Sequence, residues 1–206
     1  MSVEPIPLVY RICRFLLRVW LVLWCRFETR GEQLAPDTGG CILASNHASF
    51  LDPPLVSTLY QSEMYFLARK TLFNAASRWI YSRWNAIPVD QDHPDMTSLK
   101  SIIRKLKDGH RVLVFPEGSR TEDGQLGAAA PGIGLIAVKS GAVIQPMRIY
   151  GAREAWPRGA RRIRFARLTV NIGPPIRLTP EELKAAKGKD DYERIAKRIM
   201  AAIAAL

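Results

Sequence analysis

Short apolar runs that alternate with stretches of helical periodicity constrain this chain most. The strongest run is Arg111 to Phe115 (RVLVF), which reads as a buried strand. Just before it, Leu99, Ile102, Ile103 and Leu106 recur at the i, i+3, i+4, i+7 spacing of one helix face, and Gly109 supplies a stop. Cys41 to Ser45 (CILAS), Met64 to Ala68 (MYFLA), Ala86 to Val89 and Val143 to Tyr150 repeat the strand signal. Asp52-Pro53-Pro54 opens a helix, with Asp expected at the N-cap and Pro at the first position. Helix is also expected over Thr71 to Arg83, around Ile133 to Lys139, and from the capping-box spacing at Thr179 to Glu182 toward Leu206. Ile163 to Ile172 alternates partly and reads as one or two strands. Such alternation predicts an α/β fold: a single domain with a mixed, largely parallel sheet flanked by helices.

Residues 5 to 27 stand apart. Arg11, Arg14 and Arg18 lie at i, i+3 and i+7 on one helix face, and Ile12, Phe15, Leu16, Val19, Trp20, Leu23 and Trp24 fill much of the rest. A spanning helix needs about 20 largely apolar residues, and the arginines interrupt this one. No cleavage site of a signal peptide follows. The segment 1–27 is therefore expected to be an interfacial, membrane-anchoring helix, its arginines on lipid phosphates, with residues 28–206 as the domain proper. A helix packed on the core with arginines outward, and a tilted span with snorkelling arginines, are the alternatives.

Charge narrows the class of partner. The chain has 206 residues, 30 Lys+Arg against 19 Asp+Glu, and a net charge of +11. An anionic surface is the natural partner: a membrane, a phosphorylated substrate or nucleic acid. Eight arginines lie between Arg148 and Arg177 against one acid, Glu154. Phe165 is the one aromatic residue between Arg158 and Arg177, which argues against nucleic acid. Cys13, Cys25 and Cys41 show no CxxC spacing, so no structural metal is expected.

Two segments carry chemistry. In Asn46-His47-Ala48-Ser49-Phe50-Leu51-Asp52, His47 is a natural general base and Asp52 a carboxylate to orient it. Five residues on a regular helix lie about 140° apart in projection. Fully extended they span roughly 17 Å. Only a turn pairs the two, with Asp52 reaching back from the following helix. The second segment, Phe115-Pro116-Glu117-Gly118-Ser119-Arg120-Thr121, follows the best strand, where α/β proteins place ligands. Arg120 offers a planar fork for phosphate, Gly118 allows close backbone approach, Ser119 and Thr121 offer hydroxyls, and Glu117 could accept from a substrate hydroxyl. Gly132 to Ala137 fits GxGxxA but follows turn-rich residues instead of a strand. There is no GxSxG elbow and no GxxxxGK[ST] loop.

HxxxxD followed by FPEG-S-R resembles the glycerophospholipid acyltransferases, the 1-acyl-sn-glycerol-3-phosphate acyltransferase family. NHASFLDP is similar to the family's NHxSxxDP, FLARKTLF with NAIPVD to its AKxxLF…GxIPVDR, and VIQPMRI to its late strand; the likeness runs from about Phe27 to Gly173. The resemblance implies that residues 28–206 form an acyltransferase domain. It would move an acyl group from acyl-CoA or acyl carrier protein, as co-substrate and with no cofactor, to the free hydroxyl of a lysophospholipid. His47 would deprotonate that hydroxyl and Asp52 would orient His47. Glu117, Gly118, Ser119 and Arg120 would form the acceptor site. No acyl-enzyme is implied. The setting would be the cytoplasmic face of the cell membrane, with its anionic surface as partner. The chain departs from the pattern at Gln91, at Ala128-Ala129-Ala130 and at Ala75-Ala76-Ser77-Arg78, where basic residues or Pro and Gly are usual. Arg69, Lys70 or Arg148 are candidates to compensate for the missing cations. Fewer cations also fit an acceptor with a different head, such as a lyso-aminolipid. A basic lipid-binding module without catalysis is the remaining reading.

Overall fold

The computed structural model describes residues 8–36, 39–74, 78, 81, 84–89, 96–121, 123–157 and 159–206, the side chain of Val9 excepted. Seven strands form one sheet: β1 (Glu28–Arg30), β2 (Cys41–Ser45), β3 (Met64–Arg69), β4 (Ala86–Val89), β5 (Arg111–Val114), β6 (Val143–Tyr150) and β7 (Thr169–Ile172). Their order is β1-β7-β6-β2-β5-β3-β4, and every neighbouring pair is parallel except β6 with β7. The mixed, largely parallel α/β sheet expected from the sequence is therefore present. Of the residues 163–172, however, only Thr169–Ile172 forms a strand. Arg164 N–H donates to Ala155 O and Leu168 N–H to Cys25 O, so the stretch before β7 is tied to two other segments and has no ladder of its own.

Both sheet faces are covered, as parallel sheets require. Successive β2 residues serve opposite cores: Cys41 and Leu43 one, Ile42 and Ala44 the other. On the first face lie α1 (Leu8–Cys25) and α2 (Asp52–Ser57). On the second lie α3 (Met96–Lys107), α4 (Pro131–Ser140) and, after α5 (Ala152–Ala155) and α6 (Pro180–Ala185), the C-terminal α7 (Lys189–Ala204). In α3 the periodic residues Ile102 and Leu106 are fully inside. The capping box at Thr179 and Glu182 forms as its spacing predicts. The helical expectation over Thr71 to Arg83 lies largely outside the described residues; a 3-10 turn spans Lys70–Leu72.

The N-terminal helix is oriented otherwise than its arginines suggest. Leu21 and Cys25 are fully buried in the first core. Arg14 hydrogen-bonds Tyr60 O, and Arg18 donates to Thr58 O at 3.0 Å and pairs with Glu32 at 3.4 Å. Two of the three arginines thus hold carbonyls at and beyond the end of α2, where helix carbonyls lack intrahelical donors. The outward face is largely apolar: Leu8, Ile12, Phe15, Leu16, Val19 and Leu23 are exposed, Leu23 to 77%, and Arg11 is the arginine left exposed with them. Among the described residues no helix is long and apolar enough to cross a membrane.

α4 and α7 approach closely at Gly134, where an added Cβ would lie 2.0 Å from Tyr192 O. Ala is intrinsically the better helix former by about 1 kcal/mol. The clash is with backbone and forces the helices apart, so it wins. Gly134→Ala should lower stability by about 1–3 kcal/mol, read as a lower urea midpoint with unchanged slope.

Candidate active site

The site lies beyond the carboxyl ends of four adjacent parallel strands, β6, β2, β5 and β3, where open α/β sheets bind ligands. Asn46 and His47 follow β2. Asn46 donates to Ile149 O at 3.0 Å and accepts from Ile149 N–H at 2.7 Å, so it pins the chain to β6 where the strand ends. The chain then turns. Asp52 Oδ2 accepts from the amides of Ala48 and Ser49, each at 2.8 Å, and lies 2.8 Å from His47 Nδ1. Ser49 Oγ closes the turn by accepting from Leu51 N–H at 3.1 Å and donating to Trp156 O at 2.9 Å.

Asp52 is not the helix N-cap that its position before two prolines suggested. Leu51 is the capping residue and Asp52 the first helical one. Its carboxylate is used on the preceding turn, which needs more donors satisfied than the helix end does. The side chain has no solvent exposure, while that of His47 keeps 16%. An ionised carboxylate accepts only, so Nδ1 carries the proton and Nε2 keeps its lone pair. The imidazole also stacks on Phe115, with ring centroids 3.8 Å apart and 9° between planes.

The loop after β5 is tied to the same place. Thr121 N–H donates to His47 O at 3.0 Å, and Gly118 N–H to Phe115 O at 3.0 Å. Gly118 has φ 72, the left-handed conformation that favours glycine. Ser119 and Arg120 line the cleft together with His47. The Arg120 guanidinium sits over the Phe50 ring, 3.7 Å from its centroid, and Phe50 leans on Trp156. Glu117 and Gly118 do not line the cleft. Both carboxyl oxygens of Glu117 are buried. Burial pushes its carboxyl up to about 7; the backbone at His47 and Gly127 draws it part way back, and the Asp52 and Asp123 charges add to the rise.

The cleft measures about 680 Å³, within the usual range for ligand sites. Much of its wall is apolar, including Leu17 and Trp20 of α1, Phe66, Leu72 and Ile163. Arg69 lines it too, whereas Lys70 belongs to a second cavity and Arg148 donates to Ala204 O at 2.7 Å. Of the cations weighed as substitutes, only Arg69 is at the cleft. Gln91 and Ala75 to Ser77 lie outside the described residues. Ala128 to Ala130 lead into α4, and Ala130 N–H donates to Pro116 O at 2.8 Å, so this uncharged stretch runs beside the Glu117 loop. Sequence reasoning did not anticipate the roles of Phe115, Phe50 and Asn46. All three flank the chosen motifs, but ring stacking and strand pinning have no one-dimensional signature. Among the described residues no cluster of ligands could hold a metal ion.

Comparison with known proteins agrees with this architecture. A family model described as Acyltransferase matches residues 26–150, more than half the chain, and the chain belongs to that family. It is similar to the 1-acyl-sn-glycerol-3-phosphate acyltransferase of Pseudomonas aeruginosa, at 29% identity over 180 residues, covering 84% of this chain and 68% of the relative. It is 31% identical over 134 residues to the chloroplastic 1-acyl-sn-glycerol-3-phosphate acyltransferase BAT2 of Brassica napus, covering 64% of this chain and 39% of that protein. The fold is similar to the crystal structure of the 1-acyl-sn-glycerophosphate (LPA) acyltransferase PlsC from Thermotoga maritima. There the TM-score is 0.77 at 22% identity, with 96% of this chain and 78% of that one covered.

Glu117 allows a test of the buried loop. The folded protein holds a proton there up to about 7, while the ordinary carboxyl value is 4.5. Native protein therefore binds more protons between those values, and this group makes stability fall as pH rises through that window. Glu117→Gln should flatten the fall, so that its thermal midpoint gains on the wild type above pH 7 and not below pH 4.5. Parallel thermal scans across pH check this.

Proposed function

We propose that the protein transfers an acyl group from an acyl thioester, acyl-CoA or acyl carrier protein, to the free hydroxyl of 1-acyl-glycerol-3-phosphate, making phosphatidic acid. The observation that carries this reading is the His47–Asp52 pair in a largely apolar cleft that also holds Arg69 and Arg120. The relatives' names point to the same acceptor.

His47 Nε2 takes the proton of the acceptor hydroxyl as its oxygen attacks the thioester carbonyl. The new C–O bond gives a tetrahedral oxyanion. Its collapse breaks the C–S bond, and the leaving thiolate takes the proton from His47. Asp52 fixes the ring and faces the positive charge that develops on it. Such positioned base catalysis is worth roughly 10²–10⁴-fold, and holding two substrates in one cleft supplies more. Arg120, held flat by Phe50, presents its fork to the acceptor phosphate, with Ser119 beside it and Arg69 as a second cation. Glu117 and Gly118 shape that loop. The apolar wall accepts acyl chain. No cofactor enters the scheme.

The exposed apolar stripe of α1 is read as a membrane face: the helix lies in the interface of an anionic bilayer, at the cytoplasmic surface of the cell membrane, and residues 28–206 carry out the transfer.

His47→Ala should abolish transfer in a protein that still unfolds cooperatively, with a lowered thermal midpoint because a partner of the buried carboxylate is lost, and Asp52→Asn should fall nearly as far in activity because the tautomer is no longer fixed. Normal turnover in folded His47→Ala protein overturns the assignment.

Arg120→Lys keeps charge but loses the fork, so it should raise the KM for the phosphorylated acceptor by roughly tenfold while the donor KM holds. Initial rates against acceptor concentration measure both. A wild type that prefers a lyso-lipid without phosphate would move the assignment to a related O-acyltransferase, a reading the uncharged Ala128 to Ala130 stretch favours.

A further inference from the structure

The sequence concentrates arginine after Arg148, and the scheme above uses none of it. Arg161, Arg162 and Arg164 are all exposed, and so is Phe165, to 60%. The open phenyl ring thus lies in a run of exposed arginines, a pairing of apolar and cationic groups that suits a lipid headgroup layer. The ring is partnered by the Arg26 guanidinium, 5.7 Å from its centroid, at the end of α1. Leu168 N–H donates to Cys25 O at 3.0 Å, and Arg167 pairs with Glu28 at 2.5 Å. The basic segment is thus fastened beside the last turn of α1, where Leu23 and Trp24 are exposed. Its middle residue points the other way: Ile163 lines the cleft.

We propose that residues 161–165, with Arg26, form a second membrane-contacting surface that binds anionic lipid headgroups and seats the rim of the cleft on the bilayer. The inference rests on the membrane reading of α1. Charge selects the partner. Four guanidinium groups suit a layer of lipid phosphates, and Phe165 suits the acyl boundary just below them. An apolar stripe alone would grip any bilayer. The arginines add preference for anionic ones. α1 and this loop both border the cleft, so two contacts fix the tilt of the domain where one helix leaves it free to roll. A lipid acceptor then meets the cleft without leaving the membrane.

The test uses the full chain and vesicles of phosphatidylcholine with and without phosphatidylglycerol. Each arginine near an anionic surface contributes about fivefold in partition, so changing Arg161, Arg162 and Arg164 together to Gln should weaken binding to the anionic vesicles by about 100-fold at low salt. Binding to pure phosphatidylcholine should hardly change. The triple Lys variant should bind close to wild type, and Phe165→Ala should weaken both vesicle types alike. Transfer to a vesicle-embedded acceptor should fall in the Gln variant, while transfer to a monomeric short-chain acceptor stays at the wild-type rate. Wild-type vesicle binding by the folded Gln variant overturns the proposal. So does unchanged vesicle binding with lost affinity for purified acyl carrier protein, which would assign the arginines to an acidic protein donor. Vesicle binding that depends on these arginines in a protein with no acyl transfer would sustain the surface and sink the enzymatic reading instead.

Discussion

Asp52 Oδ2 accepts three hydrogen bonds at 2.8 Å, from His47 Nδ1 and the amides of Ala48 and Ser49, on a side chain without solvent exposure. A carboxylate taken out of water needs such partners; Oδ2 has them, whereas Oδ1 is buried without a hydrogen-bond partner among the described residues. Each bond to a charged acceptor is worth about 1.5–3 kcal/mol. The turn after β2 is therefore the conformation the buried charge demands. It fixes which way the imidazole faces and which nitrogen is left open to the cleft. Pro53 and Pro54 follow at helix positions where no amide donor is needed, so the helix begins at the carboxylate without competing for it.

The sheet makes that turn useful. β2 and β5 are parallel neighbours with Ala44 opposite Val114, so Phe115 emerges beside the residues that follow β2 and stacks on His47. Thr121, inside the loop, bonds His47 O, and Ala130 at its end bonds Pro116 O at its start. The loop is thus tied to the histidine's backbone, and its end leads into α4, which is packed through Gly134 against α7. Distant packing thus sets the position of Ser119 and Arg120.

Most of the scaffold was legible because burial repeats. RVLVF, CILAS and the Leu99 to Leu106 spacing each carry their own period, and each formed within a residue or two of its expected place. The His47–Asp52 pairing was legible because helix and strand geometry both exclude it, leaving a turn. Ile163 to Ile172 misled because its partial alternation comes from Ile163 turning into the cleft and Leu168 into the core, not from strand pairing. The burial of Glu117 was not legible either. Glu117 and Arg120 are three residues apart in one short motif, yet across the left-handed Gly118 the carboxyl is buried while the arginine lines the cleft.

Helix α1 shows why a helical wheel cannot say which face meets the protein. Arginines are ordinarily placed outward, toward water or lipid phosphate. Here the carbonyls of Thr58 and Tyr60, past the end of α2, offer acceptors that no backbone amide is placed to fill in a helix this short. Arg14 and Arg18 satisfy them. The apolar stripe is then left outside. Full burial of a large aliphatic or aromatic side chain is worth about 1.5–3 kcal/mol, so six such residues in water represent a substantial unused driving force. A bilayer interface would use it without disturbing the inner face. That separation matters because Leu17 and Trp20, on the flank between the two faces, are part of the cleft wall. A helix that had to leave the domain to reach a membrane would take the wall with it. With Arg14 and Arg18 turned inward and its apolar stripe outward, it can keep its place in the cleft wall and meet lipid at the same time.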